Sequence, residues 1–188
     1  MAGYSKATLV QKLGIKEGAK TLLVEAPKGY DLTLGPLPKG VVPGKISLTK
    51  AAALRKAAAG KTSAGKAAIG ETPAARPSAR NTSATSPAKD GPYDFIQCFC
   101  RRGKELEVVL APLASVLAKT GMLWVSWPKR SAGASRKAIP KEEQGQPDLL
   151  DEKAIRAMGL EAGLVDVKVC AVDEVWSGLK FVYRLKDR

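Results

Sequence analysis

The chain contains no histidine, so the commonest general base and metal ligand is absent from any chemistry it performs. Aromatic residues make up only 5% and there are three cysteines, Cys98, Cys100 and Cys170. An odd count inside apolar, strand-like segments excludes a disulfide framework and points to reduced, buried thiols. Without histidine or a second close cysteine pair, Cys98-x-Cys100 falls short of a zinc site, and no metal is expected. Long hydrophobic runs are also missing. Met1 to Lys12 hold no apolar stretch fit for a secretory signal, and nothing approaches the ~20 apolar residues of a membrane span. A cytoplasmic protein is expected.

Positive charge is what the chain has in excess: 31 Lys and Arg against 18 Asp and Glu in 188 residues, a formal charge of +13. Such a balance favours anionic partners. Much of the excess is concentrated. From residue 44 to 90, Lys45, Lys50, Arg55, Lys56, Lys61, Lys66, Arg76, Arg80 and Lys89 face only Glu71 and Asp90, so about seven of the thirteen excess charges lie here. The stretch is rich in Ala, Ser, Thr, Gly and Pro and poor in large apolar side chains. Burial there cannot offset an ordering entropy of about 1 to 2 kcal/mol per residue, so a disordered basic insertion is expected. Thr49 to Ala59 is a candidate for a transient Ala-rich helix only. The insertion should be removable without loss of fold, and its cations suit sequence-independent phosphate contact. No aromatic residue within it can stack on bases, and a solubilising linker would have the same composition.

Outside the insertion the pattern alternates. Ser5 to Gly14 reads as a short helix with a Ser cap and a Gly stop, and Thr21–Val24 as a buried strand. A weak helix is expected from Tyr30 to Leu37 and a second short strand at Val41-Val42. Tyr93 to Cys100 suits a central strand. Leu106, Val109, Leu110, Leu113 and Leu117 mark a helix from Gly103 to Lys119 that Pro112 should kink or split. Gly121 is placed as a left-handed helix stop before a strand at Met122 to Trp127, ended by Pro128. After a polar, mobile stretch from Lys129 to Pro147, a helix at Asp148 to Ala162 precedes strands at Leu164 to Val172 and Leu179 to Leu185. So short a join predicts an antiparallel hairpin. The grammar is α/β: a small Rossmann-like, mostly parallel sheet with helices on both faces and a C-terminal antiparallel hairpin. It forms one domain from residues 1–43 and 91–188, interrupted at 44–90.

The run from Tyr93 through LAKTGMLWVSWPK (Leu117 to Lys129), the following helix and the closing hairpin resemble the second half of the class I methyltransferase fold. LWVSWPK, with the ending VDVKVCAVDEVWSGLKFVYR, is similar to a group of small bacterial proteins defined as a domain of unknown function. The likeness covers about residues 5 to 42 and 91 to 186. It implies a truncated methyltransferase-like fold. In that fold a Gly-rich loop after the first strand approaches the amino-acid part of S-adenosylmethionine, and an acidic residue after the second strand binds the ribose. Here the first strand runs into Glu25-Ala26-Pro27-Lys28-Gly29-Tyr30 with one glycine, and no acidic residue follows Val41-Val42. No cofactor is therefore expected, and the group supplies no catalytic residue to carry over.

Ligands of open parallel sheets collect at the carboxyl ends of the strands. Those ends carry Glu25 and Lys28, Arg101 and Arg102, and Ser126, Trp127 and Lys129, with Asp173 and Trp176 able to close from the hairpin. Together they suit a small anion or nucleotide, although solvated strand ends and core-capping rings look the same in sequence. Ser126 has no histidine to activate it and no glycine elbow, which excludes a serine hydrolase. Three readings follow: a noncatalytic methyltransferase-like binding or regulatory module, a divergent transferase with a pocket remodelled around Glu25, Trp127 and Lys129, and accessory nucleic-acid binding through the insertion.

Overall fold

The computed structural model describes residues 7–59, 92–130, 141 and 148–188. Helix α1 (Leu9–Leu13) is capped by Thr8, whose hydroxyl accepts from the Gln11 N–H while the Gln11 side chain accepts from the Thr8 N–H. This capping box replaces the cap expected at Ser5, a residue outside the described set. Gly14, at φ 81°, ends the helix in the left-handed conformation that the sequence suggested. Then follow β1 (Thr21–Val24), α2 (Tyr30–Leu34), β2 (Gly44–Ile46) and α3 (Leu48–Ala59). The second part of the chain contributes β3 (Tyr93–Phe99), α4 (Gly103–Ser115), β4 (Leu117–Pro128), α5 (Glu152–Glu161), β5 (Leu164–Ala171) and β6 (Trp176–Tyr183).

The six strands lie in the order β2-β1-β3-β4-β6-β5. β1 to β4 are mutually parallel, and β6 runs antiparallel to both neighbours, which makes β5–β6 the expected hairpin. The chain leaves β1 for β2 on one side and crosses back over β1 to β3, so the strand order reverses between β1 and β3. That reversal opens a crevice at the carboxyl ends of these two strands. Helices α3, α4 and α5 cover one face through Ala51, Leu54, Leu106, Leu113 and Ile155. The other face carries α1 and α2 through Val10, Leu13, Tyr30 and Leu34, with fully buried Trp124 donating its indole N–H to the Leu13 carbonyl at 3.0 Å.

Several expectations change at this point. The second strand is Gly44–Ile46, paired with Leu22–Val24, and not Val41-Val42. Pro43 has no backbone donor for a ladder, Val41 is buried in a loop and Val42 is 84% exposed. The expected insertion therefore begins too early: residues 44–59 belong to the fold as β2 and α3, while 60–90 lie outside the described residues. Burial is concentrated in Ile46, Leu48, Ala51 and Leu54, and averaging over the whole stretch hid this. Helix α4 passes through Pro112 and stops at Ser115, whose hydroxyl bonds back to the Pro112 carbonyl at 2.7 Å.

Strand β4 starts at Leu117, and Gly121 lies within it, not at a helix stop. A Cβ on Gly121 would stand 2.9 Å from the Tyr93 carbonyl oxygen and 3.0 Å from that of Asp94, so the glycine permits close backbone approach beside the irregularity between Tyr93 and Phe95. Helix α5 begins later than expected because Asp151 caps it, its carboxylate accepting from the Ala154 N–H at 2.8 Å. Most of the polar stretch from 129 to 147 lies outside the described residues.

Candidate functional site

A cleft of about 250 Å³ opens at the carboxyl ends of β1 and β3, where the strand order reverses. Its lining comes from the loop after β1 (Pro27, Lys28), from α2 (Tyr30, Thr33), from Arg101 after β3 and from the hairpin (Asp173, Val175, Trp176). Four of the nine residues expected at this edge therefore meet: Lys28, Arg101, Asp173 and Trp176. The sequence reading missed Tyr30 and Thr33. Its signal for them was available, since a helix starting just after a glycine at a strand's carboxyl end points its first turn into the crevice.

The floor is aromatic. Tyr30 and Trp176 each stand edge-on to Phe99, with ring centroids 4.8 and 5.1 Å apart, and all three rings are buried. Beneath them runs a buried polar chain in which the Tyr30 hydroxyl donates to Gln97 Oε1 at 2.7 Å and Gln97 Nε2 donates to Ser126 Oγ at 3.0 Å. Burial pushes the Tyr30 phenol well above its ordinary range, although the Gln97 hydrogen bond opposes that shift. Ser126 is thus a fully buried link in a structural network and does not reach the cleft.

Charge at the cleft is unevenly satisfied. The Asp173 carboxylate accepts from the N–H groups of Val175 (2.7 Å) and Trp176 (2.6 Å), which fixes the hairpin turn. Arg101 is held by its backbone, its N–H donating to Glu105 Oε2 at 2.7 Å and its carbonyl accepting from Leu150 at 3.0 Å. Its Nε is buried with no hydrogen-bond partner among the described residues. A guanidinium held this way, beside Lys28, leaves donor capacity for an acceptor entering the cleft.

The other expected site residues have separate tasks. Glu25, at φ 52°, turns its carboxylate to the Leu48 N–H at 3.1 Å and caps α3. Arg102 precedes α4, and its N–H also donates to Glu105. Trp127 packs on the α3–α4–α5 side of the sheet, opposite Trp176. Lys129 Nζ donates to the Asp173 carbonyl, tying β4 to the hairpin turn. Glu25, Trp127 and Lys129 therefore do not meet in the cleft. Cys98 and Cys100 lie on the same side as Trp127, buried, with sulfurs 3.4 Å apart, as small core residues.

Of the basic residues expected in a disordered arm, Lys45 stands in β2 and pairs with Asp31, and Lys50 is in the first turn of α3. Arg55 and Lys56 belong to α3, and Lys61, Lys66, Arg76, Arg80 and Lys89 lie outside the described residues.

Comparison with solved structures bears on this arrangement. A SAM-dependent methyltransferase from Aquifex aeolicus matches 92% of this chain and 86% of its own, with a TM-score of 0.55 and 17% identity. The fold is methyltransferase-like. Magnesium protoporphyrin IX methyltransferase from Synechocystis PCC 6803 with bound SAM matches over 94% of this chain and 74% of its own at 16% identity, TM-score 0.49. In a structure of the same enzyme with SAH, the match spans 50% of this chain and 46% of that one at 19% identity, TM-score 0.37. No family model and no curated protein matches the sequence. None of the described helices is long and apolar enough to cross a membrane.

The single glycine after β1, Gly29, is the N-cap of α2. The residues after β2, Ser47 and Leu48, bring no carboxylate of their own, and Glu25 Oε2 accepts from the Leu48 N–H.

Proposed function

We propose that the chain is a noncatalytic, methyltransferase-like binding or regulatory module, cytoplasmic in setting, whose cleft takes a small anion. The reading is carried by the loop after β1, whose single glycine, Gly29, caps α2 and whose Glu25 accepts from the Leu48 N–H at the start of α3. The positive side of the reading rests on Arg101, whose buried Nε lacks a partner and whose backbone is fixed on both sides. Lys28 adds a second cation, and the Tyr30, Phe99 and Trp176 rings give a rigid apolar floor. Such a site suits a phosphate or carboxylate carrying an apolar body.

Two measurements test it. Isothermal calorimetry with S-adenosylmethionine is expected to show no binding, and micromolar affinity would overturn the reading. Thermal-shift titration with orthophosphate and with nucleoside monophosphates is expected to raise the melting temperature of the parent protein but not of Arg101→Gln, because ligand that binds the native state stabilises it by mass action. A shift that survives in Arg101→Gln places the anion elsewhere.

A further inference from the structure

The α1-side face of the β5–β6 hairpin carries a like-charge pair within its strands, among residues that do not line the cleft. Lys168 and Lys180 are directly opposed across the two strands. Directly opposed like charges destabilise a sheet, and natural sequences mostly avoid such local conflict outside functional positions.

A bulge produces the pairing. Asp166 is opposite Phe181, and the next ladder pair is Lys168 with Lys180, so Val167 is the extra residue and is 58% exposed. In an unbroken ladder Val167 would face Lys180, and Lys168 would point to the α5 side with Asp166. The bulge instead turns Lys168 onto the α1 face, as bulges near functional surfaces re-aim side chains.

More cations surround the pair. The Lys168 ammonium donates to the Lys12 carbonyl at 3.3 Å, and Lys16 and Arg188 lie close enough to Lys180 to depress its ammonium pKa, after burial and together with Lys168. Nearby carboxylates do not balance them. Asp166 is held by Arg156 at 2.9 Å on the opposite face, and among the described residues neither Glu17 nor Asp187 forms an ion pair with these groups.

We propose that this face is a docking surface for the phosphate backbone of nucleic acid, with Lys12, Lys16, Lys168 and Lys180 as its contacts. The occupant follows from charge complementarity: several cations on one sheet face, without carboxylate partners, fit a polyanion whose charges repeat along a line. No aromatic ring is among these contacts, so binding is sequence-independent. The surface is separate from the cleft, and its failure would leave the reading of the cleft untouched.

Fluorescence anisotropy of the full chain with a labelled 20-base-pair duplex, titrated from 0.05 to 0.2 M salt, tests the proposal. Lys168→Gln/Lys180→Gln is expected to reduce the slope of log K against log[salt] by about 1.8 and to weaken binding roughly 30-fold at 0.15 M, the salt factor of two lost phosphate contacts. Lys168→Gln alone is expected to lose about half of that slope, and Lys153→Gln on α5 none. In the absence of DNA both variants are expected to melt no lower than the parent. Unchanged slopes, losses equal to that of Lys153→Gln, or a lysine-dependent affinity for phosphatidylserine vesicles with DNA binding unaltered would overturn the proposal.

Discussion

Tyr30 joins the cleft to the core, and its hydrogen-bond chain is open to direct test. In Tyr30→Phe the buried Gln97 Oε1 loses its donor, which should cost about 1 to 3 kcal/mol. The same phenol makes stability depend on alkaline pH. Its folded pKa lies above the ordinary 10.0 because burial disfavours the phenolate, so the native state holds this proton more tightly than the unfolded chain. The stabilisation is full below pH 10 and is lost as pH rises beyond it. Cys98 acts in the same direction from its ordinary 9.0, its thiol raised by the hydrogen bond with Cys100 and then by burial. Urea unfolding between pH 8 and 11 should therefore show stability falling for the parent, with a shallower fall above pH 10 in Tyr30→Phe. Parallel profiles would mean that Tyr30 does not contribute.

At the scale of the element, α3 depends on one carboxylate presented by a strained residue. Glu25 is the one non-glycine residue with positive φ among those described, and its side chain satisfies the Leu48 N–H. Glu25→Ala should lose about 0.5 to 2 kcal/mol, the usual cost of a missing cap, with Glu25→Gln recovering part through its amide oxygen. A urea midpoint unchanged in Glu25→Ala would show that the cap contributes nothing. The same element shows where legibility ended. Strands β1, β3 and the β5–β6 hairpin were legible because each is a short apolar run with clear turns. Helix α3 was legible in position but only as a transient helix: its ordered face consists of Ala51, Leu54 and partly buried Leu48, small or sparse residues that stabilise only when another helix lies close, here α4. At the site, Lys28 and Arg101 could be placed from strand ends, and Asp173 and Trp176 from the hairpin join. Glu25, Arg102, Ser126, Trp127 and Lys129 lie outside the cleft because their faces and partners are set by sheet register, by helix caps and by residues distant in sequence.

For the whole molecule, the boundary between fold and insertion determines what can be removed. Strand β2 pairs with β1 along Leu22 to Val24, and α3 packs against α4, so residues 44–59 cover apolar surface that both of those elements present. Residues 60–91 join the end of α3 to the start of β3, and replacing such a connection by a shorter one changes closure entropy by only about 0.6 kcal/mol per halving of length. Replacement of 60–91 by about ten Gly and Ser residues is therefore expected to leave the urea midpoint and m-value close to those of the parent. Removal of 44–91 with the same linker should expose the β1 edge and the α3-facing side of α4, lowering the midpoint and reducing m by the surface no longer buried. Circular dichroism would report the loss of α3 directly. If the shorter deletion unfolds the protein, residues 60–91 contribute to the core; if the longer one melts like the parent, β2 and α3 are dispensable and the boundary belongs at residue 44 after all.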